Sequence, residues 1–367
     1  MEFRDIIYAF IAVLFSGLFA FLLTPPVRVL AYRLGAIDIP TDERRMHKKP
    51  TPRMGGAAIF LSFTITTLIF ADIDLKLIGL LLGALVIVLI GVSDDIFRLP
   101  ASFKFVAQIL ATLIPVFFGI KIEHINLFGK YIELGPLSIP LTVFWIVAVT
   151  NAINLIDGLD GLACGISTIS ALSIMVFAII EVDMSSALLV AILAGSCLGF
   201  MPYNRNPASI FMGDTGALFL GYTLSAVSIM GVFKLNAFVS FWSPFLIFAL
   251  PLADTFVSML RRILKGQSPF MADRGHFHHK LIDLGFNQKQ AVTILYSISA
   301  MFGISAILFT EEMYVAAIII IAVTFIVGML NYKILVGGKT MRDQMGLHLK
   351  TIKTEPDSVE ETNEENK

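Results

Sequence analysis

Residues 76–95 read KLIGLLLGALVIVLIGVSDD, an apolar run that ends in two adjacent aspartates. No charged side chain stands between Lys76 and Asp94. A run of this length and apolarity is typical of a helix that crosses the hydrocarbon core of a bilayer. The stretch therefore predicts a transmembrane helix that presents two carboxylates where it leaves the membrane.

The rest of the chain repeats this pattern. Its 367 residues are 56% hydrophobic and only 15% charged, which is too few charges for an ordinary soluble domain. Eleven apolar runs are candidate spans: 6–23, 55–71, 76–93, 103–119, 139–156, 162–180, 185–201, 211–232, 237–260, 291–310 and 313–335. The first run follows Glu2, Arg4 and Asp5 rather than a basic segment and shows no cleavage pattern, so it is expected to remain as a helix. The fold class predicted is all-α, a polytopic membrane helical bundle of about 11 transmembrane helices.

The basic residues predict the orientation of the bundle. Of the 27 Lys and Arg, 22 fall in the connectors after odd-numbered spans or in the C-terminal tail. The positive-inside rule then puts the N-terminus outside and the C-terminus in the cytosol. The expected transmembrane catalytic domain covers 1–335, a disordered polar and acidic tail covers 336–367, and the cytosolic loops are 24–54, 94–102, 157–161, 202–210 and 261–290. A net charge of −1 gives no indication of a nucleic-acid partner.

The polar clusters with chemical potential fall on the predicted cytosolic side. Asp94 and Asp95 are followed by Lys104 and Gln108, which share one face of the next helix. Adjacent carboxylates suit a divalent cation or a general base, and a solvated helix end is the alternative.

A second cluster places polar side chains at three-residue intervals on an apolar segment: Asn151, Asn154, Asp157 and Asp160. Burying amides and acids in lipid is costly, so these side chains are expected to face a wet cavity lined by protein. Hydrogen bonding between helices is the alternative.

A third cluster runs from Asn204 to the fragment Gly213-Asp214-Thr215-Gly216. Glycines beside an aspartate at a helix start let backbone amides approach a phosphate while the carboxylate holds a cation. A simple helix cap by Asp214 is the alternative.

Two basic loops follow the same trend. Residues 274–280 read RGHFHHK, and their three histidines do not have the spacing of a zinc site, so hydrogen bonding to a sugar or diphosphate is favoured over metal binding or surface decoration. Residues 42–56 carry five Lys and Arg, which serve either membrane topology or phosphate recognition.

Asp254 is an intramembrane acid and hence a functional candidate, with an ion pair to Arg261 or Arg262 as the alternative.

These motifs together resemble the polyprenyl-phosphate N-acetylhexosamine-1-phosphate transferase family. The resemblance rests on KKPTPRMGG, the aspartate pair with KFVAQ, NAINLIDGLDGL, NRNPASIFMGDTG and RGHFHHKL, between about residues 22 and 284. The enzyme of peptidoglycan synthesis, which transfers phospho-N-acetylmuramoyl-pentapeptide, has three consecutive histidines followed by Phe-Glu. This chain has His-Phe-His-His-Lys instead, which is similar to the branch that transfers GlcNAc-1-phosphate. Arg98 stands where a prenyl-diphosphate DDxxD motif would need an acid, so the pair is not assigned to that motif.

The resemblance implies that the protein transfers GlcNAc-1-phosphate from UDP-GlcNAc to undecaprenyl phosphate and releases UMP, in the cytoplasmic membrane with the active site on the cytosolic face. It implies Mg²⁺ as cofactor, with Mn²⁺ as a substitute. The pentapeptide transferase remains an alternative, as does a secondary transporter of a different class. The polymer, the choice of GlcNAc or GalNAc, the polyprenol length and a homodimer are left open.

The resemblance also assigns residues. The metal ligands implied are Asp214, Asp94 and Asp95. The catalytic residues implied are Asp94, Asp95, Lys104, Asp157 and Asp160. The substrate-binding residues implied are Lys48, Thr51, Arg53, Gln108, Asn151, Asn154, Asn204, Arg274, His276, His278 and His279.

Overall fold

The computed structural model of the protein describes residues 3–40, 49–127, 130–231, 238–267 and 275–328. Lys48 and Arg274, both predicted to bind substrate, lie outside the described residues. The helices are α1 (Phe3–Leu34), α2 (Gly56–Phe70), α3 (Leu75–Phe97), α4 (Ala101–Phe117), α5 (Ser138–Ile156), α6 (Leu162–Ile180), α7 (Met184–Asn204), α8 (Gly213–Gly231), α9 (Phe238–Ile247), α10 (Ala249–Leu264), α11 (Phe277–Asp283), α12 (Gln288–Thr310) and α13 (Tyr314–Gly328). The prediction of an all-α fold is confirmed.

Short strands form two antiparallel hairpins between the helices. Strand β1 (Ile37–Asp38) pairs with β2 (Thr51–Pro52), and β3 (His124–Leu127) pairs with β4 (Lys130–Glu133). Residues 1–324 form one compact unit, and a second unit begins at residue 325.

Six helices of the described residues are long and apolar enough to cross a membrane: Ile7–Leu34, Leu75–Phe97, Gly135–Ile156, Leu162–Ile180, Met184–Asn204 and Gln288–Thr310. Three shorter apolar helices, α2, α4 and α13, accompany them. The prediction of a multi-pass membrane protein is confirmed, whereas the number of eleven spans and the orientation stay predictions.

Helix α1 corrects the predicted end of the first span. It continues past residue 23, through Pro25 and Pro26, to Leu34. The first part of the predicted loop 24–54 is therefore helical. The apolar run stops near the prolines and at Arg28, yet Val27 and Ala31 remain buried one turn apart. Burial of this stripe continues the helix beyond the point where the hydropathy falls.

The predicted span 237–260 is two helices, α9 and α10, which meet at Phe248. Pro251 has no backbone N–H to donate to the carbonyl of Ile247, so the helix cannot run on regularly. The hydroxyl of Ser170 lies 3.5 Å from that carbonyl oxygen and donates to it. The interruption therefore sets the direction of α10, which carries Asp254.

Helix α8 is the centre of the described bundle, because all of its residues except Asp214 are buried. Two neighbouring helices touch its first turn through glycines. A Cβ on Gly56 would lie 2.0 Å from the nitrogen of Gly216, and a Cβ on Gly91 would lie 2.5 Å from the Cα of Thr215. Close backbone packing thus fixes the position of Asp214 relative to α2 and α3.

Candidate active site

The carboxylate of Asp95 holds the beginning of α8. It accepts hydrogen bonds from the backbone nitrogens of Asp214 and Thr215, both at 3.1 Å, and from the hydroxyl of Thr215 at 2.6 Å. The Nε of Arg53 lies 3.3 Å from Oδ1 of Asp95, the oxygen that also accepts from the backbone nitrogen of Asp214. The first amides of α8 were expected to approach a phosphate, but they donate to Asp95 instead, because a buried carboxylate needs several donors.

Lys104 joins two of the predicted metal ligands. Its Nζ lies 3.0 Å from an oxygen of Asp94 and 2.7 Å from an oxygen of Asp214. The second oxygen of Asp94 accepts from the backbone nitrogen of Leu99 at 2.7 Å. One ammonium therefore offsets the repulsion between carboxylates of α3 and α8.

A cavity of about 360 Å³ opens beside Asp214. It is lined by Asp38, Arg53, Asn154, Asp157, Gly158, Leu159, Asp160, Asn204, Phe211, Met212, Gly213, Asp214, His279 and Gln288. The predicted residues Arg53, Asn154, Asp157, Asp160, Asn204, Asp214 and His279 thus meet at one site. This volume is within the range of small-molecule sites.

Electrostatics distinguish the two aspartates of the segment between α5 and α6. Burial and the nearby carboxylates of Asp214 and Asp95 raise the pKa of Asp157 to about 8. Asp157 therefore holds a proton at neutral pH. Asp160 accepts from Asn206 Nδ2 at 2.9 Å and from the backbone nitrogen of Ala208 at 3.0 Å.

Several predicted residues form hydrogen bonds that hold the site together. Asn151 Nδ2 donates to Gln108 Oε1 at 2.7 Å, so these two predicted substrate ligands pair with each other between α5 and α4. The hydroxyl of Thr51 donates to the carbonyl of Lys49 at 3.1 Å. Asn204 lines the cavity and also donates to the carbonyl of Ile210 at 3.1 Å, which braces the segment leading to α8.

The histidine loop is fixed by the intramembrane acid. Asp254 accepts from the Nδ1 of His276 at 2.8 Å and from the backbone nitrogen of Phe277 at 2.7 Å. The rings of His276 and His278 stack in parallel, with centroids 5.8 Å apart. Asp254 thus has a partner in the histidine loop. The alternative drawn from the sequence was an ion pair with Arg261 or Arg262.

His278 lies behind the cavity wall and His279 lies on it. The side chain of His278 is buried against Gly158, where a Cβ would come within 2.1 Å of His278 Nε2. Burial lowers the pKa of His278 to about 3, so the ring is neutral at physiological pH. Only glycine at residue 158 lets the loop come this close.

Three residues that sequence reasoning missed are Asp38, Asn206 and Gln288. Asp38 reaches the cavity because its hairpin follows α1, whose length was underestimated. Asn206 donates to both Asp160 and Gln288 Oε1, the latter at 2.6 Å. Asn206 stood inside the quoted motif, but Gln288 carried no signal beyond its place at a helix start.

A magnesium ion fits this donor set only with help from a substrate. Among the described residues, no group of three or more His, Cys, Asp or Glu side chains could hold a metal. Asp95 already accepts from four donors, whereas Asp214 lines the cavity and shares Lys104 with Asp94. Mg²⁺ commonly binds one or two carboxylates together with substrate phosphates, which is what Asp214 and Asp94 can offer.

Comparison with known proteins gives a consistent result. The profile of glycosyl transferase family 4 matches residues 77–232, which include Asp94, Asp157 and Asp214. The probable undecaprenyl-phosphate N-acetylglucosaminyl 1-phosphate transferase of Bacillus subtilis strain 168 is 39% identical over 305 residues, covering 82% of this chain and 84% of the relative.

Two further relatives are similar over most of their length. The decaprenyl-phosphate N-acetylglucosaminephosphotransferase of Mycobacterium tuberculosis strain H37Rv is 33% identical, covering 86% of this chain and 88% of its own. The phospho-N-acetylmuramoyl-pentapeptide-transferase of Staphylococcus saprophyticus is 34% identical, covering 71% of this chain and 86% of its own. Because such identity extends over most of both sequences, the chain belongs to glycosyl transferase family 4, with membrane phosphotransferases as its relatives.

Proposed function

We propose that this protein transfers GlcNAc-1-phosphate from UDP-GlcNAc to undecaprenyl phosphate, releasing UMP and starting a lipid-linked glycopolymer of the cell envelope. The observation that carries the proposal is the convergence of Asp214, Asp157 and Arg53 on one cavity at the end of a buried helix. The active site is proposed to face the cytosol, where the Lys- and Arg-rich loops are expected to lie.

Cations beside the cavity support recognition of a diphosphate. Arg53 lines the cavity, and its Nε contacts Asp95. Its Nη2 lies 4.0 Å from a carboxylate oxygen of Asp214. Lys104 adds a second positive charge where Asp94 and Asp214 meet. These side chains are proposed to orient the phosphates of the donor and to offset the repulsion between donor and lipid phosphate.

Mg²⁺ is proposed as the cofactor, held by Asp214 and Asp94 together with phosphate oxygens of the donor. When bound, the ion would neutralise charge that develops on the diphosphate as UMP leaves. Both carboxylates that contact the ammonium of Lys104 are the proposed metal ligands. Lys104 would therefore have to share Asp94 and Asp214 with a bound ion.

The hydrogen bonds of the aspartate pair support one direct displacement by the lipid phosphate. A covalent route needs a carboxylate that is free to attack the β-phosphorus. Both oxygens of Asp95 accept from donors of α8, and Asp94 accepts from Leu99 and Lys104. A phosphate monoester has a second pKa of about 6, so the lipid phosphate is largely a dianion at neutral pH and needs little help from a base.

The direct route is tested without lipid acceptor. Enzyme, Mg²⁺, UDP-GlcNAc and labelled UMP should give no labelled UDP-GlcNAc, and UDP-GlcNAc labelled in its sugar should leave no label on the protein. Lipid-independent exchange that disappears in Asp94→Asn would establish the covalent route instead.

The activity itself is tested with purified protein, undecaprenyl phosphate and a panel of donors. UDP-GlcNAc is expected to release UMP and yield a lipid-linked sugar, with UDP-GalNAc as the comparison that reads sugar preference. UDP-N-acetylmuramoyl-pentapeptide is expected to give no product, because the histidine loop has Phe277 and Lys280 where the pentapeptide enzymes have histidine and glutamate. Turnover of the pentapeptide donor alone would reject the proposal.

A further inference from the structure

Gln288, in the first turn of α12, is one of the residues that line the cavity. Its orientation follows from its neighbours. Asn206 Nδ2 donates to the carboxylate of Asp160 at 2.9 Å and to Gln288 Oε1 at 2.6 Å. Because a carboxylate only accepts, the atom of Asn206 that faces Asp160 is the amide nitrogen, and Gln288 must turn its oxygen toward that nitrogen.

This arrangement leaves the amide nitrogen of Gln288 without a partner. Nε2 is buried, and no atom of the described part of the chain accepts a hydrogen bond from it. The Oδ1 of Asn204, on the same cavity, is also buried and has no donor among the described residues. A buried polar group without a partner costs about 1–3 kcal/mol, so one that lines a cavity is expected to meet its partner in the ligand.

We infer that Gln288 is a donor-binding residue whose Nε2 donates a hydrogen bond to an oxygen of the UDP-sugar. The inference rests on the proposed function, because it needs a nucleotide-sugar in this cavity. Asn206 and Asp160 position the amide, and the N–H₂ group selects a hydrogen-bond acceptor at that point of the ligand.

Two substitutions distinguish a role of Gln288 in donor binding from a purely structural role. Gln288→Glu keeps an oxygen for Asn206 and removes the N–H donor, but it also adds a negative charge. Gln288→Met removes both groups and adds no charge. If Nε2 binds the donor substrate, both variants raise the KM for UDP-GlcNAc, by roughly 3- to 10-fold for Gln288→Met, which corresponds to one neutral hydrogen bond.

The matched control is Gln290→Met, in the same helical turn. Gln290 Oε1 accepts from the backbone nitrogen of Asn287 at 3.0 Å as half of a capping box, and its side chain is exposed. This variant weakens the start of α12 without touching the cavity, so the KM for UDP-GlcNAc should stay as in the wild type. The KM for undecaprenyl phosphate should be unchanged in all three variants.

The outcomes are distinct. A rise in the inhibition constant of UMP that parallels the rise in KM places the acceptor oxygen in the nucleotide, and a rise in KM alone places it in the sugar. A wild-type KM in Gln288→Met, or an equal rise in Gln290→Met, overturns the inference. If the wild-type protein releases no UMP from UDP-GlcNAc, the proposed function fails. Calorimetry of UDP binding to the wild type and to Gln288→Met still tests whether Nε2 contributes to nucleotide binding.

Discussion

Gly213 offers a sharp test of how Asp95 and α8 build the site. Its φ is +71°, and a Cβ there would lie 2.4 Å from an oxygen of Asp95. Gly213→Ala therefore carries the left-handed backbone penalty of about 1–2 kcal/mol. It also pushes on a carboxylate with three hydrogen bonds to Asp214 and Thr215, and loss of one such bond to a charged group adds about 1.5–3 kcal/mol.

Gly35→Ala is the matched control. Its φ is +73°, and no atom lies within 4 Å of a Cβ built there, so it carries the backbone penalty alone. Thermal unfolding in detergent should rank wild type above Gly35→Ala and Gly35→Ala above Gly213→Ala. UMP release should fall at least about tenfold only in Gly213→Ala, because Asp214 moves with the start of α8. Equal midpoints for the two variants, or full activity in Gly213→Ala, would refute the assignment of Asp95 as the anchor of α8.

Three further predictions address other parts of the site. Excess EDTA should abolish UMP release, and Asp214→Asn should weaken activation by Mg²⁺ while the protein stays folded; undiminished turnover in EDTA would remove the metal from the proposal. Asp254→Asn should lower kcat/KM about 10-fold or more, because it removes a buried hydrogen bond between a carboxylate and His276. The double variant with His276→Asn should lower kcat/KM little further. Additive losses in steady-state assays would contradict a direct interaction between the two residues. Burial lowers the folded pKa of His278 to about 3, below its usual 6.5, so the stability associated with its neutral ring is complete at pH 8 and falls by about 2 kcal/mol at pH 5. Asp157, whose folded pKa is raised, changes stability in the opposite direction, but it does so equally in the wild type and in His278→Asn. The difference in unfolding free energy between the two proteins should therefore shift by about 2 kcal/mol between pH 8 and pH 5, and a constant difference would contradict the burial of a neutral ring.

The membrane helices could be predicted because the bilayer imposes one length and one polarity on every span. The same rule was wrong at α1 and at α9 with α10. Apolarity alone cannot tell that Val27 and Ala31 keep α1 packed beyond two prolines, or that Pro251 divides a continuous apolar run. Those outcomes depend on tertiary contacts, which hydropathy does not record.

The convergence of the site was predictable in outline, since polar residues tolerated at span ends gather where the ends meet. Its internal pairing was not. The bonds between Asp254 and His276, and between Asn151 and Gln108, join residues 22 and 43 positions apart, and no local spacing encodes such contacts. Asp95 likewise resembled a metal ligand as closely as Asp94 did, and only packing of α3 on α8 assigns it to the helix start.

Charge explains why the proposed cation and the donor belong to one site. The described lining residues include four aspartates, Asp38, Asp157, Asp160 and Asp214, against Arg53. The proton held by Asp157 reduces this excess but does not remove it, and a diphosphate adds negative charge to the same cavity. In the structure, the ammonium of Lys104 compensates Asp94 and Asp214, so a bound Mg²⁺ has to share those carboxylates with it. Phosphate oxygens of the donor would complete the coordination of the proposed ion, which would in turn offset their charge. Metal and donor should therefore each raise the other's affinity by the same factor, as thermodynamic linkage requires.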